Sequence, residues 1–323
     1  MTKVSIVCIT YNHEKYIEKA LNSFLSQKTN FDYEIIVCDD YSTDNTVNII
    51  EEIREKNLDK IKLIQNKINL GSMKNYLKAL SLATSKYIAV CDGDDYWNDN
   101  YKLQKQADFL DNNPDFSVVF HNTRIINENG EFIKIYPNFK SREVNFKELV
   151  SYNCIPSNSV MYRNHKQLTL RNDVVPLDHY IHLKYATIGK IFCMKDIMST
   201  YRMHQNSLWE FSSNDEKYYD FLDKHGICYL NYMNILNEDY GLNNKAKMIK
   251  TMKDLLFVKL NKNDYLSIEL IRKKYPTLYS YMLENTFFQL RGKSKFKKLL
   301  YYLIFEPQKI LNKFVKSKIK DFL

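Results

Sequence analysis

Glycine and proline are scarce in this chain, which has only 7 glycines and 6 prolines among its 323 residues. That scarcity leaves no room for a low-complexity linker, and we find no internal repeat. No stretch approaches the ~18 uncharged apolar residues that a membrane-spanning helix needs, so none is expected. The first predicted strand begins by Val4, so we expect no signal peptide.

Paired cysteine motifs are also missing. The six cysteines include no C-x-x-C pair. Three of them, Cys8, Cys38 and Cys91, fall in or beside predicted core strands, where a free cysteine behaves as a small hydrophobic residue. We therefore expect neither a zinc site nor a disulfide framework, and we expect a reducing, cytoplasmic compartment.

A glycine-rich phosphate loop does not follow the first predicted strand, residues 3–10. The strand ends in Tyr11-Asn12-His13, at the point where a dinucleotide-binding fold places G-x-G-x-x-G. This absence disfavours an NAD-dependent enzyme. It equally disfavours a nucleotidyltransferase whose glycine-rich loop follows the first strand.

The most informative stretch that is present is residues 87–97, where an apolar run ends in Asp92, Asp94 and Asp95. A continuous apolar run predicts a buried parallel strand. Carboxylates are rarely buried without a partner, so the strand must end at the carboxyl edge of a sheet, where α/β folds bind ligands. Oxygen ligands suit Mg²⁺ or Mn²⁺ carrying a diphosphate. The alternative is an ordinary acidic turn between a strand and a helix.

Strand and helix patterns alternate four times before residue 97, with short connections. This alternation predicts an α/β fold with a parallel sheet. The second strand, residues 34–38, also ends in acids, Asp39 and Asp40. One of these two can brace the turn while the other stays free for a base or ribose, and both acidic clusters should face one crevice.

Four motifs, in this order, resemble the family 2 glycosyltransferases of the GT-A fold. They are V-S-I-V-C-I-T-Y-N at residues 4–12, Asp39-Asp40-x-Ser42-x-Asp44-x-Thr46, Asn69-x-Gly71 and Asp92-Gly93-Asp94-Asp95. Order and spacing match over residues 3–97, and the match continues more weakly to about residue 208. The resemblance implies a GT-A fold, a Rossmann-like mixed sheet flanked by helices. It also implies inverting sugar transfer from a nucleotide-diphosphate sugar, of the bacterial surface-glycan type.

The resemblance also implies a nucleotide-sugar site. It implies that Thr10, Tyr11 and Asp40 bind the nucleoside. It implies that Asp92 and Asp94 form a D-x-D motif that holds the ribose and the metal-bound diphosphate. The other residues expected at this site are Asn12, Asn69, Gly71, Lys74, Asn75 and Gly93. Lys74 stands where many relatives have arginine and cannot make a planar bidentate contact; alternatively it is a solvated surface lysine.

Asp178 is the candidate catalytic base. The resemblance places the base at the start of the helix predicted over residues 179–187, although Leu177 replaces the acid that relatives usually carry before it. Inversion requires a carboxylate opposite the leaving diphosphate to accept the proton of the acceptor hydroxyl. The alternative is that Asp178 only caps the helix.

Further residues are expected around the acceptor and the diphosphate. Trp97 either stacks on a pyranose ring or plugs the loop against the next helix. Arg202 is expected at the diphosphate, and His204 is either a metal ligand or a core histidine. The other residues expected on the acceptor side are Ser157, Asn158 and His179. In the helix predicted over residues 101–112, Lys102 and Lys105 are expected to face outward.

We divide the chain into a catalytic domain, residues 1–215, and a basic helical region, residues 216–323, which holds 21 Lys and Arg against 11 Asp and Glu. Residues 209–215 are a candidate flap over bound substrate. Residues 291–323 include a basic amphipathic pattern at 307–322, which favours an anionic membrane surface and hence a peripheral location at the inner face of the cell membrane. The alternatives are a helical bundle packed on the catalytic domain or a homo-oligomer contact; nucleic acid is disfavoured.

Two functions remain open at this point. The first is a metal-dependent, inverting hexosyltransferase that moves a sugar from a nucleotide-diphosphate sugar to a hydroxyl of a glycan or lipid-linked acceptor. UDP-sugars are the first choice of donor on family frequency. The second is a non-catalytic protein of the same fold that binds sugar nucleotides or acts as a scaffold.

Overall fold

The computed structural model describes residues 2–166, 168–204, 216–262 and 264–281. None of the helices in this part of the chain combines the length and apolar character that crossing a bilayer requires. The candidate flap at residues 209–215 and the amphipathic pattern at residues 307–322 lie outside the described residues.

Alternating strands and helices build the first half of the sheet, as the sequence predicts. The strands are parallel and lie in the order β3-β2-β1-β4. Their bounds are β1 (Val4–Thr10), β2 (Tyr33–Asp39), β3 (Ile61–Gln65) and β4 (Tyr87–Val90), with the helices α1 (Ile17–Leu25), α2 (Thr46–Glu55) and α3 (Ser72–Leu82) between them. The prediction of an α/β fold with a parallel sheet is confirmed.

Beyond β4 the sheet becomes mixed, because β6 and β10 pair in parallel and the other new pairs are antiparallel. The order continues β4-β9-β6-β10-β5, with β7 beside β6 and β8 beside β10, so that the described part of the chain contributes ten strands to one sheet. The strands are β5 (Tyr96–Trp97), β6 (Phe116–Ile126), β7 (Phe132–Tyr136), β8 (Arg142–Val144), β9 (Met161–Arg163) and β10 (Lys190–Arg202). The helices of this half are α4 (Lys102–Asn112), α5 (Phe146–Ser151) and α6 (Leu177–Ala186), with a 3₁₀ turn at Ser157–Ser159.

The core lies between this sheet and the helices packed on it. Every residue of β2 is buried, as is every residue of β4, which is the pattern of strands covered on both faces. Helix α1 turns Ile17, Leu21 and Phe24 into the core, because residues three and four apart share one helix face. These buried strands hold the loops at their carboxyl ends in place.

By its internal contacts the chain forms two compact units. The first contains residues 1–217 and 228–243, and the second contains residues 218–227 and 244–323. Helix α7 (Glu216–Glu238) belongs partly to each unit, and α8 (Lys245–Asn261) and α9 (Tyr265–Lys274) belong to the second. Residues 228–243 thus group with the unit that we predicted to end at residue 215. The functional division at that residue stays a prediction.

Candidate active site

The carboxyl ends of β1, β2 and β4 meet at one edge of the sheet. The backbone N–H of Asp40 donates to the carbonyl of Thr10 at 2.9 Å, and the N–H of Gly93 donates to the carbonyl of Ile9 at 2.9 Å. Both acidic loops are therefore tied to the end of β1. Parallel strands present their carboxyl ends on the same side, so this edge collects polar side chains from distant parts of the chain.

The loop after β4 places its carboxylates in unlike surroundings. Burial, together with the nearby charges of Asp94 and Asp178, raises the pKa of Asp92 to about 8. Burial acts in the same direction on Asp94, but a hydrogen bond from His204 and the charges of His13 and His204 outweigh it and keep the pKa of Asp94 below its ordinary value. Neighbouring carboxylates whose pKa values are shifted in opposite directions are typical of functional sites.

Two histidines converge on one oxygen of Asp94. The Nε2 atom of His204 lies 2.9 Å from Asp94 Oδ2, and the Nε2 atom of His13 lies 3.7 Å from the same oxygen. The Arg202 side chain approaches the same loop, because its Nε donates to the backbone carbonyl of Asp94 at 3.3 Å. The structure thus brings Arg202 and His204 to the acidic loop, where the sequence places them.

Asp178 lies in the first turn of α6, half-buried, and its charge raises the pKa of Asp92. Its Oδ2 accepts a hydrogen bond from Asn153 Nδ2 at 3.0 Å. Burial raises the pKa of Asp178, although hydrogen bonds from the His179 backbone and from Asn153 partly offset this effect. The structure therefore places the candidate base in electrostatic contact with the acidic loop, although the two are far apart in sequence.

The expected nucleoside residues lie on the β2 side of the edge. Asp40 is buried and accepts hydrogen bonds from Asn66 Nδ2, from the Leu70 N–H and from the Gly71 N–H, each at 2.8 Å. Asp39 accepts hydrogen bonds from the backbone and hydroxyl of Ser42. We expected one of these two acids to stay free, and this is not what the structure shows. Both brace loops of the chain.

The remaining residues predicted for the nucleotide-sugar site differ in exposure. Asn75 is buried, where it donates to the Cys38 carbonyl and accepts from Asn66, so it holds the fold together. Lys74 is exposed, which agrees with the alternative of a solvated lysine. The exposed residues of this group are Tyr11, Asn12, Asn69, Gly71 and Lys74.

Three residues predicted for the acceptor side are buried instead. Trp97 is only 4% exposed; it packs on Phe24 and donates its indole N–H to the Asn158 carbonyl at 2.9 Å. The prediction that Trp97 stacks on a sugar ring is thus wrong, and the alternative, a hydrophobic side chain that closes the loop, is what the structure shows. The side chain of Asn158 bonds to Asp95, whose pKa burial raises well above the ordinary range. Ser157 remains half-buried.

His179 is the third of these buried residues. Its Nε2–H donates to the Leu149 carbonyl at 2.7 Å, and its Nδ1 accepts from the Tyr232 hydroxyl. Both ring nitrogens are thus occupied within the chain, because a carbonyl can only accept and so fixes the tautomer. The prediction of an acceptor contact is therefore wrong, and His179 braces α6.

Sequence reasoning missed three residues at this edge: His13, Tyr16 and Asn153. His13 could have been found, because it follows the first strand directly and must lie at the carboxyl edge. Tyr16 immediately precedes α1 and contacts His204 and Arg202. Asn153, which bonds to Asp178, lies in an irregular segment whose direction no local pattern predicts.

The residues at Asp94 fit a divalent cation. Thr10 Oγ1 and His13 Nδ1 are buried there and have no hydrogen-bond partner among the residues that the structure describes, and a Cβ on Gly93 would come within 3.0 Å of both atoms. Among the described residues, no cluster of three or more His, Cys, Asp or Glu side chains could hold a metal by itself. Mg²⁺ and Mn²⁺ are often bound by one or two carboxylates together with substrate phosphates, so Asp92 and Asp94 are the residues that would hold such an ion.

Comparison with known protein sequences identifies the family of this chain. Residues 5–168 match the model of the family described as Glycosyl transferase family 2. The chain is 36% identical over 227 residues to an uncharacterized protein of Mycobacterium tuberculosis H37Rv, a match that covers 70% of this chain and 66% of the relative. It is 36% identical over 133 residues to the Escherichia coli enzyme named UDP-Glc:alpha-D-GlcNAc-diphosphoundecaprenol beta-1,3-glucosyltransferase WfgD, covering 40% of this chain and 50% of that protein.

Solved structures show the same architecture. Staphylococcus aureus TarS, crystallised with UDP-GlcNAc, superimposes with a TM-score of 0.54 at 21% identity, covering 86% of this chain and 79% of that chain. The Pyrobaculum calidifontis mannosyltransferase PcManGT, in complex with GDP-Man and Mn²⁺, gives a TM-score of 0.51 at 16% identity, covering 90% and 88%. These likenesses confirm the predicted GT-A fold.

Proposed function

Because this chain belongs to glycosyl transferase family 2, we propose that it is a metal-dependent, inverting glycosyltransferase of the hexosyltransferase type. It takes a sugar from a nucleotide-diphosphate donor and transfers it to a hydroxyl of a glycan or lipid-linked acceptor. The observation that carries this proposal is that Asp92 and Asp94 directly follow β4 at the carboxyl edge of the sheet, near enough to Asp178 for its charge to act on Asp92.

Electrostatics explain why a charged donor suits this edge. Two aspartates flank Gly93, and the charge of a third carboxylate, Asp178, raises the pKa of Asp92. A divalent cation, Mn²⁺ or Mg²⁺, held by Asp94 with Asp92 or His204, would supply the positive charge that a departing diphosphate needs. Arg202, whose Nε bonds to the Asp94 carbonyl, adds a permanent positive charge beside the same loop.

The donor is proposed to be a UDP-sugar. The name of the E. coli relative specifies UDP-Glc, and TarS was crystallised with UDP-GlcNAc; the GDP-Man complex of PcManGT keeps guanosine as the alternative. Thr10 ends β1, Tyr11 and Asn12 follow it, and these three residues are proposed to line the nucleoside. Asp40 organises the loop at residues 66–71 beside them through three hydrogen bonds.

Asp178 is proposed to accept the proton of the acceptor hydroxyl. A base works best when its pKa lies near the operating pH, and burial raises the pKa of this carboxyl above its ordinary value. The Asn153 amide holds one carboxylate oxygen at 3.0 Å. Together with the hydrogen bond from the His179 backbone, this contact holds the carboxylate in a fixed orientation.

A lipid-linked glycan is the proposed acceptor. The relative WfgD is named for a diphosphoundecaprenol acceptor, which supports a lipid-linked glycan for this chain. Such an acceptor would suit a peripheral protein at the inner face of the membrane, held through residues 291–323. Half-buried Ser157 remains a candidate acceptor contact.

The test is to incubate the protein with UDP-sugars and Mn²⁺ and to measure slow release of UDP. Thermal unfolding with a panel of nucleotide sugars selects the donor, because a bound donor stabilises the folded state by mass action. Stabilisation together with hydrolysis supports the enzyme. Stabilisation without hydrolysis, even when acceptor glycans are added, would instead support a non-catalytic sugar-nucleotide-binding protein.

A further inference from the structure

We propose that Tyr16 is a positioning residue, whose ring sets the orientation of His204 and Arg202 beside Asp94 and thereby the metal-dependent affinity for nucleotide. This inference rests on the proposed function, since it concerns the same site. No motif of the sequence singles out Tyr16, and the role follows only from its contacts in the fold.

The Tyr16 ring contacts both side chains that β10 delivers to the acidic loop. It stacks on the His204 imidazole with 5.4 Å between ring centroids and 27° between ring planes. The Arg202 guanidinium carbon lies 4.8 Å from the centroid of the same ring. His13, the other histidine near Asp94 Oδ2, meets Tyr16 edge-on at 6.3 Å. Tyr16 is therefore the common neighbour of the three cationic or imidazole side chains around Asp94.

The backbone of Tyr16 is well anchored. Its N–H donates to the His13 carbonyl at 2.9 Å, and its carbonyl accepts from the Ala20 N–H at 3.2 Å. The residue that follows, Ile17, begins α1 and is fully buried. A half-buried ring on such a rigid base provides a fixed surface on which neighbouring side chains can be oriented.

The side chains that rest on Tyr16 lie where the sheet ends. The last β10 residue paired with β6 is Arg202, and the Met203 N–H donates to the Ile126 carbonyl at 2.8 Å. His204 follows that final ladder contact. The contacts of its side chain include the stack on Tyr16 and the 2.9 Å contact with Asp94.

The test is isothermal titration of UDP into the full chain, with saturating Mn²⁺ and separately with EDTA. Tyr16→Leu loses one ring stack and one cation–π contact. We therefore expect this variant to bind UDP about tenfold more weakly than the wild type in the presence of Mn²⁺. Its affinity in EDTA should fall by less, because only the contact of Arg202 with the diphosphate is then affected, so the ratio of Mn²⁺ to EDTA affinity should decrease. Tyr16→Phe retains the ring and should restore the Mn²⁺-dependent affinity to within about twofold of wild type. Tyr101→Leu, a change at an exposed tyrosine outside the site, is the matched control.

A purely structural role for Tyr16 makes different predictions. It would lower the melting temperature of Tyr16→Leu and leave the ratio of Mn²⁺ to EDTA affinity unchanged, which would overturn the inference. If Tyr16→Leu does not fold, Tyr16→Met keeps the apolar volume without the ring and undergoes the same comparison. If the wild type binds no UDP with Mn²⁺, the UDP-and-metal part of the proposed function fails and this inference fails with it. If the wild type binds UDP with Mn²⁺ and Tyr16→Leu binds it with the same affinity, the inference about Tyr16 is wrong and the proposed function stands.

Discussion

The Nε2 atom of His204 lies 2.9 Å from Oδ2 of Asp94, although the two residues are 110 positions apart. The same loop and strand are joined twice more: Asp95 accepts from the Arg202 N–H at 2.9 Å, and Arg202 Nε donates to the Asp94 carbonyl. The D-x-D loop and the end of β10 therefore form one structural unit. Perturbing either part should affect metal and diphosphate binding together.

Asp94→Asn should abolish the Mn²⁺-dependent increase in UDP affinity and lower transfer by about 100-fold or more, because the charge facing the cation is lost. The substitution keeps the size of the side chain, so the melting temperature should change little. Calorimetry with and without Mn²⁺, and UDP release from a UDP-sugar, provide the measurements. Asp59→Asn, at an exposed loop position, is the control, and undiminished metal-dependent binding in Asp94→Asn would remove Asp94 from the metal site.

Asp178→Asn should lower kcat by about 10²- to 10⁴-fold while UDP affinity stays unchanged, since only the proton acceptor is removed. Steady-state kinetics and calorimetry separate these two effects. Asp196→Asn, at an exposed carboxylate paired with Lys105, is the control. Normal transfer by Asp178→Asn would show that the base lies elsewhere and that this residue only caps α6.

The pH profile of the wild type should carry the signature of the same base. A base must be ionised to accept a proton, so activity falls as the pH drops through its pKa. Because burial raises the pKa of Asp178, the acid limb of kcat/KM should lie above the ordinary aspartate value of about 3.9. An acid limb at or below that value would argue against Asp178 as the base.

Trp97→Phe should lower the free energy of unfolding by about 1–3 kcal/mol and leave the KM values of donor and acceptor unchanged. The indole is buried against Phe24, and its N–H satisfies the Asn158 carbonyl, so its loss is a packing and hydrogen-bond defect. Urea unfolding and steady-state kinetics measure the two quantities. A raised acceptor KM with unchanged stability would reinstate the sugar-stacking role.

Lys102→Met should flatten the dependence of stability on pH above neutrality. The sequence predicts an outward-facing Lys102, but the residue is fully buried, with its Nζ 2.7 Å from Gln106 Oε1 and 4.1 Å from the Trp97 ring centroid. Burial lowers the pKa of Lys102 to about 7, whereas an unfolded lysine has a pKa of about 10.4. Between these values the unfolded chain binds the additional proton, so stability should rise with pH by up to about 1.4 kcal/mol per unit.

Urea unfolding at pH 7, 8 and 9 tests this expectation. The contribution of Lys102 to stability is fully present only above the pKa of the unfolded lysine, and it is lost as the pH falls toward the folded value. Lys105→Met, on the exposed side of the same helix, is the matched control and should keep the wild-type slope. Equal slopes in the wild type and Lys102→Met would mean that Lys102 is not held in its neutral form.

Local sequence patterns determined the order of strands and helices and the acids that follow β2 and β4. A continuous apolar run such as residues 87–91, followed at once by carboxylates, can only be a buried strand with a polar end. Each of these patterns lies within a single strand or helix and is set by residues that are close together in sequence. For the same reason the sequence placed Asp92, Asp94 and Asp178 correctly at strand and helix ends.

Tertiary structure alone decided which polar side chains face the site and which support it. Four side chains face inward because the elements that cover them come from distant segments such as α1, α5 and α7; they are Trp97, Asn158, His179 and Lys102. Likewise, nothing near Tyr16 in sequence predicts that Arg202 and His204 will rest on its ring. A side chain's role depends on what packs against it, and that is set by long-range contacts that no local periodicity encodes.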